Sequence, residues 1–315
     1  MDLSLFFAGT AGSVPSARRG LPATLLRRGG EALLFDCGEG TQRQLIRSIG
    51  LADLSHVFLT HFHADHWLGL PGMLKSFELR DRDRPLTVLG PRGTKELLEA
   101  VRFVYGRLKY PFSVVELEPG EPVQFGDWYV AGFNVDHRGP KGSCYGYAIV
   151  EETRRGEFDA ELAASLGVTG PDCGRVIRGE TVNGVTREQV IGPDRPGRKL
   201  VLSGDTAPCE TLRVAAHQAD VLVHEATFTD EELERAGQTR HSTARQAAEL
   251  ARDAEVRLLA LNHLSSRYGG AEIRDEAREV FERTVVPRDF DTIDVPFAER
   301  GEPELVRWSG GEVRA

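Results

Sequence analysis

The stretch His61-Phe62-His63-Ala64-Asp65-His66 decides the fold that this sequence predicts. It places three histidines and one aspartate within six residues, directly after the strand-like run SHVFLT at 55–60. Imidazole and carboxylate groups suit Zn²⁺, with Mn²⁺ or Fe²⁺ as alternative ions. Histidines buried at this density without a ligand would be costly in free energy. The stretch therefore predicts a metal site at the end of a β-strand.

Three further candidate ligands also follow apolar runs of the chain. His137 closes FNVDH, Asp205 closes VLSGD and His263 closes LLALNH. Taken alone, each would more simply be a hydrogen-bonded structural residue. Their shared position at the carboxyl ends of strands predicts that they join the first cluster at one edge of a sheet. Two groups of nitrogen and oxygen ligands would be enough for two metal ions, with one carboxylate as a bridge.

Composition limits the class of protein. The chain has 315 residues, is 40% apolar and 28% charged, and carries a formal net charge of −9. These values exclude a disordered, collagen-like or coiled-coil chain and allow one large domain or two small ones. The negative charge argues against a general nucleic-acid binder, although a local basic strip could still hold a phosphate backbone.

Three kinds of segment are missing from the sequence. No apolar run reaches the length of about 20 residues that a membrane-spanning helix needs, and the start lacks the features of a signal peptide. The four cysteines are far apart and form no CxxC pair, which argues against a disulfide scaffold. We therefore expect a cytoplasmic protein that does not enter a membrane.

Strand-like and helical stretches alternate along most of the chain, which predicts an α/β or layered α+β fold. Residues 151–197 interrupt this alternation. They are rich in glycine and proline, and their charges of both signs nearly balance. Long insertions of this kind in compact domains are usually functional or disordered. We expect an inserted, partly extended and mobile arm.

The HxHxDH motif, with His137, Asp205 and His263 after it, resembles the metallo-β-lactamase superfamily. Within that superfamily, four other motifs resemble the short form of the ribonuclease Z family: FDCGEGTQRQ (35–44), HEATF (224–228), HST (241–243) and NHLSSRY (262–268). The resemblance extends over nearly the whole chain. It implies an αββα sandwich in which residues 1–315 form a single domain and residues 151–197 form an inserted flexible arm.

The resemblance also implies a metal centre with two Zn²⁺ ions per subunit. The implied ligands are His61, His63 and His137 for one ion, Asp65, His66 and His263 for the other, and Asp205 as the bridge. Two such ions can ionise a water near neutral pH for in-line attack on a phosphodiester. Asp65 would also accept or orient the proton of that water. His241, held by Glu225, would protonate the leaving 3′ oxygen.

The resemblance implies precursor tRNA as the partner of this site. In the family the arm grips the elbow of tRNA and reaches across a homodimer, so a homodimer is expected. Five residues are candidates for phosphate contacts: Ser242, Thr243, Arg267, Arg175 and Arg178. The HST segment precedes a predicted helix, whose free N–H groups suit either a hydroxyl cap or a phosphate. The two arginines of the arm would make binding sensitive to salt.

The expected activity is that of a zinc-dependent endoribonuclease that cuts the 3′ trailer from precursor tRNA beside the discriminator base, leaving a tRNA 3′-hydroxyl and a 5′-phosphate trailer. The alternative is a small-molecule phosphodiesterase or arylsulfatase of the same superfamily, which would not need the arm. A diiron redox protein is disfavoured because that branch carries a carboxylate at the position of His63. Glu225 and His241 argue against a β-lactamase.

Overall fold

A computed structural model describes residues 2–51, 53–140 and 142–310 of the chain. Two β-sheets pack against each other, and helices cover their outer faces. Within the described residues, the first sheet has eight strands: β1 (Leu3–Gly9), β2 (Ala23–Arg28), β3 (Glu31–Phe35), β4 (His56–Phe58), β5 (Leu86–Gly90), β6 (Phe112–Glu116), β14 (Thr292–Asp294) and β15 (Glu304–Val306). The strand order is β15-β14-β1-β2-β3-β4-β5-β6.

The second sheet completes the sandwich. In the described part of the chain it has seven strands: β7 (Pro122–Gln124), β8 (Trp128–Asn134), β9 (Tyr145–Glu151), β10 (Lys199–Leu202), β11 (Val221–Glu225), β12 (Leu258–Asn262) and β13 (Thr284–Val285). The order is β13-β12-β11-β10-β9-β8-β7, with β10 to β13 parallel and β7 to β10 antiparallel. Strands β3 to β6 of the first sheet are also parallel.

The helices of the described residues are short. They are α1 (Thr41–Ser48), α2 (Ala64–Trp67), α3 (Gly69–Leu79), α4 (Thr94–Ala100), α5 (Arg102–Tyr105), α6 (Ala160–Ser165), α7 (Pro171–Ile177), α8 (Arg187–Val190), α9 (Glu210–Ala216), α10 (Leu233–Thr239), α11 (Ala244–Asp253) and α12 (Gly270–Arg278). None of them combines the length and the apolar character that spanning a membrane requires.

Three apolar layers hold the sandwich together. The central layer lies between the sheets and includes Phe58, Trp128 and Tyr147, which are fully buried. One outer layer packs α1 and α3 on the first sheet, and the other packs α9, α11 and α12 on the second. Strands β11 and β12 are buried along their whole length because both faces of the sheet are covered. The predicted αββα sandwich is confirmed.

The segment between β9 and β10 is folded in the structure. It contains α6, α7 and α8, which enclose a small core made mainly of valines, including Val168, Val176 and Val190. Its two ends pair through bridges between Arg154 and Arg195 and between Phe158 and Ile191. The sequence predicted a partly extended arm and did not predict these helices, which have only four to seven residues. We refer to residues 151–197, the range that the sequence predicted, as the arm.

Candidate metal centre

The ends of parallel strands bring the candidate ligands to one edge of the sandwich. The chain leaves β4 at Phe58 and enters α2 at Ala64, and the HxHxDH motif lies on this short connection and on α2 itself. Asp205 follows β10 and His263 follows β12. Gly204 precedes Asp205 with φ of +61°, and a Cβ atom there would lie 2.7 Å from the carbonyl oxygen of Tyr145. Only glycine fits that turn without strain.

Three histidine nitrogens converge to form the first ligand group. Nε2 of His61 lies 2.9 Å from Nδ1 of His63, and Nε2 of His137 lies 3.1 Å from the same atom. Together with a carboxylate oxygen of Asp205, these atoms all lie within 4.8 Å of one another. Zinc binds imidazole nitrogen at about 2.0–2.1 Å. Two nitrogen ligands of the same ion therefore lie about as far apart as the histidine nitrogens do here. The group fits a divalent metal ion.

Asp65, His66 and His263 form the second ligand group. Oδ2 of Asp65 lies 3.6 Å from Nε2 of His66 and 3.4 Å from Nε2 of His263. The backbone amide of Ser13 donates to the same Asp65 oxygen at 2.8 Å. These three side chains also place their ligand atoms within 4.8 Å of one another. The structure thus brings the predicted second set together.

Asp205 lies between the two groups. Its Oδ2 atom is 3.2 Å from Nε2 of His263 and 3.3 Å from Nε2 of His66. On the other side it is 3.7 Å from Nε2 of His61 and 3.9 Å from Nε2 of His137. One carboxylate oxygen therefore faces histidines of both groups, which is the position that the sequence predicted for a bridging ligand.

The surroundings of the two ring nitrogens of His66 favour a cation at this site. Its Nδ1 donates to Oδ2 of Asp36 at 2.7 Å, so a neutral imidazole presents a lone pair at Nε2. That Nε2 atom is buried and makes no hydrogen bond with the described residues, although Oδ2 of Asp205 is near. Burial opposes a charge on His66, but the Asp205 and Asp36 carboxylates outweigh burial and raise the pKa of His66 well above its ordinary value, so a positive charge is favoured between His66 and Asp205. A metal ion bound to Nε2 of the neutral imidazole would supply that charge in place of the proton.

The Thr60 hydroxyl, which the sequence analysis did not single out, orients a ligand histidine. Oγ1 of Thr60 lies 3.0 Å from Nδ1 of His61 and donates to Oδ2 of Asp36 at 2.9 Å. Asp36 is 5% exposed and also accepts from the Thr60 amide at 2.8 Å. Such partners fix the ring orientation and the tautomer of a metal-binding histidine. The FDCGEGTQRQ motif, which contains Asp36, was the only sequence signal for this support.

His137 is oriented by a backbone carbonyl. Its Nδ1 donates to the carbonyl oxygen of Arg240 at 2.8 Å. Arg240 has φ of +58°, a left-handed conformation that is uncommon outside glycine, and its guanidinium binds both oxygens of Asp136 at 2.6 and 2.7 Å. This ion pair fixes the turn that directly precedes His241.

Glu225 holds His241 beside the ligand groups. Nδ1 of His241 donates to Oε1 of Glu225 at 2.7 Å. The carboxylate also accepts from the amides of Thr206 and Thr227, both at 3.0 Å, and from the Thr227 hydroxyl at 2.7 Å. A ligand atom of His241 lies within 4.8 Å of those of Asp205 and His263. The predicted pair is therefore formed, and His241 faces the metal centre.

The charges of the site shift several pKa values. Burial opposes a charge on His241, but the Glu225 carboxylate outweighs burial and raises the pKa of His241 to about 9. The imidazole is therefore protonated near neutral pH, as a general acid requires. Burial lowers the pKa of His61 and of His137. Neutral imidazole is the form that binds metal.

Four carboxylates surround the centre, and their combined charge favours cations there. Asp36, Asp205 and Glu225 are at most 5% exposed, and the side chain of Asp65 is 11% exposed. Buried carboxylates of one sign repel each other unless positive charge offsets them. Divalent metal ions held by the two histidine groups would supply that charge.

The residues predicted to bind substrate phosphates form two groups, two buried hydroxyl residues and three arginines at the surface. Ser242 is buried and donates its hydroxyl to the carbonyl oxygen of Thr206 at 2.6 Å. Thr243 is also buried and caps α11 by accepting from the amide of Gln246 at 3.2 Å. Both hydroxyls are thus used within the protein, and the helix cap that the sequence offered as the alternative is formed by Thr243.

The three predicted arginines lie at the surface and form ion pairs. Nη1 of Arg267 is 3.1 Å from Glu232, and Arg175 binds Glu180 at 2.8 Å. Arg178 lies 3.5 Å from Glu180 as well. All three belong to surface ion pairs of the kind that contributes little to stability, so a phosphate can compete for their guanidinium groups. The structure does not bring the arginines of the arm to the metal centre.

Comparisons with known proteins agree with the fold and the centre. A family model described as the metallo-β-lactamase superfamily matches residues 19–263. The chain also superposes on the crystal structure of human tRNase Z, short form, with a TM-score of 0.69 and 26% identity, covering 93% of this chain and 99% of that one. The YhfI protein of Bacillus subtilis, at 18% identity and a TM-score of 0.69, shares the fold.

Curated relatives extend the similarity over almost the full length. The chain is 45% identical to ribonuclease Z of Gemmatimonas aurantiaca, covering 95% of this chain and 98% of that protein. It is 46% identical to ribonuclease Z of Haloferax volcanii, covering 95% and 97% respectively. On this similarity and on the matching superfamily model, the chain belongs to the ribonuclease Z family of the metallo-β-lactamase superfamily.

Proposed function

We propose that this chain is a metal-dependent endoribonuclease that removes the 3′ trailer from precursor tRNA. The cut falls beside the discriminator base and leaves a tRNA 3′-hydroxyl and a 5′-phosphate on the trailer. The observation that carries the proposal is the His241–Glu225 pair, which places a protonated imidazole beside the ligand cluster. The full-length similarity to ribonuclease Z proteins supports the choice of substrate.

We infer two Zn²⁺ ions per subunit, with Mn²⁺ or Fe²⁺ as alternatives. The support is that the ligand atoms form two groups with Asp205 between them. Imidazole and carboxylate ligands in such groups are typical of zinc. When bound, the ions supply a nucleophile from water near neutral pH and offset the charge that develops on the phosphate.

Two side chains handle the two proton transfers of the reaction, one at the attacking water and one at the leaving oxygen. Asp65, whose Oδ2 is fixed by the Ser13 amide, orients the proton of the attacking water. His241 gives Nδ1 to Glu225, so its Nε2 is the atom that donates a proton to the 3′ oxygen as that oxygen leaves. A positioned acid of this kind contributes a rate factor of about 10² to 10⁴.

The arm supplies the selectivity for tRNA in this proposal. Its residues lie outside the metal centre and expose Arg175 and Arg178, which can exchange carboxylate partners for RNA phosphates. Residues 1–315 act as one domain with the arm inserted at 151–197. We also expect a homodimer in the cytoplasm, and sedimentation of the purified protein measures its oligomeric state.

A small-molecule phosphodiesterase or arylsulfatase remains the second candidate, since the superfamily fold and the ligand cluster would serve it equally well. Two features favour RNA: the folded arm, and curated relatives of 40–46% identity that are all named ribonuclease Z. A small substrate would make no use of an arm that lies apart from the ligand cluster.

The test is 3′-end mapping of two precursor tRNAs, one with and one without an encoded CCA. Each is incubated with the wild-type protein, with His241→Ala, and with the exposed-histidine control His217→Ala. We expect one cut beside the discriminator base, slowed about 10²- to 10⁴-fold by His241→Ala and abolished by a chelator. If neither precursor is cut while bis(p-nitrophenyl) phosphate or an aryl sulfate is hydrolysed, the tRNA proposal is wrong.

A further inference from the structure

The two ends of the arm are joined to each other where they leave the sandwich. The amide of Arg154 donates to the carbonyl oxygen of Arg195 at 2.8 Å, and the amide of Arg195 donates back to the carbonyl oxygen of Arg154 at 2.8 Å. Arg154 follows β9 closely, and Arg195 lies just before β10. This pair of hydrogen bonds forms the narrow base from which the helical part of the arm extends.

Glu299 ties that base to a distant part of the chain. It lies in a short 3₁₀ helix, Ala298–Arg300, between β14 and β15 of the other sheet. Nη2 of Arg154 is 2.9 Å from its Oε1, and Nη1 of Arg195 is 3.4 Å from the same oxygen. One carboxylate therefore holds both ends of the arm.

Phe297 provides an apolar surface under the same base. The guanidinium carbon of Arg154 lies 3.4 Å from the centre of the Phe297 ring, and that of Arg198 lies 4.0 Å from it. Nε of Arg154 is buried and has no hydrogen-bond partner among the described residues, as expected for a guanidinium that stacks on a ring. The ring itself is 9% exposed.

The sandwich fixes the position of Phe297 through Arg198. Arg198 is 3% exposed, binds both oxygens of Glu151 at 2.7 and 2.8 Å, and donates to the carbonyl oxygen of Val295 at 2.8 Å. The Phe297 ring thus lies between an anchored arginine of the core and a half-buried arginine of the arm. Contacts of this kind restrict the angle at which the arm leaves the core.

We propose that Phe297 and Glu299 are positioning residues that hold the arm at one angle to the metal centre. We call Arg154, Arg195, Phe297 and Glu299 the arm latch. An arm that can take many angles must be ordered when one RNA contacts both the arm and the centre. Restricting the angle beforehand therefore lowers the free-energy cost of binding that RNA. This inference rests on the proposed function, since it assumes that the arm binds tRNA.

The variants Phe297→Ala and Glu299→Gln remove the two tethers separately. The matched control is Glu302→Gln, which removes an ion pair of Glu302 with Arg257 and Arg283 in the same terminal segment. The conservative variant Phe297→Tyr keeps the aromatic surface. A variant in which a short Gly-Ser linker replaces residues 156–193 reports what the whole arm contributes.

Two substrates distinguish a loss of RNA positioning from damage to the metal centre. For precursor tRNA we expect Phe297→Ala and Glu299→Gln to raise KM at least about fivefold, with wild-type kcat at saturation and wild-type hydrolysis of bis(p-nitrophenyl) phosphate. Glu302→Gln and Phe297→Tyr should behave like wild type. Hydrogen exchange at the Arg154 and Arg195 amides should be faster in both latch variants.

Each of the other possible results shows whether the proposed function or the arm latch is wrong. If the wild-type protein does not cleave precursor tRNA, the proposed function fails before the latch is tested. If it does cleave but the latch variants keep the wild-type KM, the latch is wrong and the function stands. Equal losses on both substrates would assign Phe297 and Glu299 to general stability. An arm-replaced protein with the wild-type KM would also overturn the inference.

Discussion

The hydroxyl oxygen of Thr227 lies 2.9 Å from Nδ1 of His263. The same hydroxyl donates to Oε2 of Glu225 at 2.7 Å, and Oε1 of Glu225 accepts from His241. One buried carboxylate therefore orients both a candidate metal ligand and the candidate general acid. The position of the acid relative to the metal is fixed by this short chain of hydrogen bonds.

Replacing Thr227 by valine keeps the shape of the side chain and removes the hydroxyl. We expect Thr227→Val to weaken metal binding about 10- to 100-fold, because the orienting partner of a ligand histidine is lost. Competition with a chromogenic chelator measures that affinity. Thr227→Ser is the matched control and should retain near-normal affinity. Equal affinities of Thr227→Val and the wild type would contradict the role assigned to the hydroxyl.

Asp36 gives a second prediction, on the other side of the centre. Asp36→Asn removes the charge that accepts a hydrogen bond from His66. The metal next to His66 should bind about 10- to 100-fold more weakly, so that mild dialysis against chelator removes metal from the variant first. Metal analysis of the dialysed proteins checks this. The exposed Glu39→Gln in the same motif should lose no more metal than wild type.

Metal removal should destabilise the fold as well as stop catalysis. Without cations, the buried carboxylates of the centre repel one another, and a ligand present at 100 to 1,000 times its dissociation constant stabilises by about 3 to 4 kcal/mol. We expect chelation to lower the thermal unfolding temperature by more than about 5 °C, and added Zn²⁺ to restore it. An unchanged unfolding temperature in metal-free protein would argue against a metal centre.

The carboxylate of Glu151, which does not belong to the metal centre, makes the stability of the fold depend on pH. Burial opposes its charge, but Arg198 and Arg28 outweigh burial and lower the pKa of Glu151 to about 2. Because the folded pKa lies below the unfolded value, this stabilisation is complete above the ordinary pKa of about 4.3 and is lost as the pH falls toward 2. At pH 7 the shift corresponds to about 3 kcal/mol.

Glu151→Gln should therefore lower the free energy of unfolding at pH 7 by about 3 kcal/mol. It should also flatten the dependence of stability on pH below pH 5. Denaturant titrations at several pH values measure both effects. Glu152→Gln, at the exposed neighbouring position, is the control and should change little. A steep acid dependence that survives in Glu151→Gln would have to come from other carboxylates.

The sequence was informative about ligands because each of them follows an apolar strand. HxHxDH after β4, Asp205 after β10 and His263 after β12 lie at the carboxyl ends of parallel strands, which meet at one edge. Local pattern and sheet geometry were therefore enough to assemble these ligands, whereas His137 follows β8, which pairs antiparallel with both of its neighbours. The periodicity of TQRQLIRSIG (41–50) and GLPGMLKSFEL (69–79) predicts helices where the structure has α1 and α3. The alternation in WYVAGFNVDH (128–137) and SCYGYAIVEE (143–152) predicts paired strands, where the structure has the antiparallel pair β8 and β9.

The sequence was less informative where a contact joins distant polar residues. Asp36 and His66 are 30 positions apart, and no periodic pattern links them. The apolar spacing of TKELLEAVRFVYG (94–106) predicts one continuous helix, but the backbone breaks at Val101 between α4 and α5. The arm helices were missed because each is too short to show a repeat, and valines from separate turns stabilise them together.

The separate valine core of the arm also affects which substitutions the protein can accept during evolution. Because Val168, Val176 and Val190 pack among themselves, substitutions at the surface of the helical part of the arm, outside the arm latch, need no compensation in the sandwich. Under the proposed function, the arm residues that contact RNA can diverge while the metal-binding edge stays the same. Lineages with different tRNA repertoires could therefore adjust recognition by altering one appendage, without any cost to the chemistry.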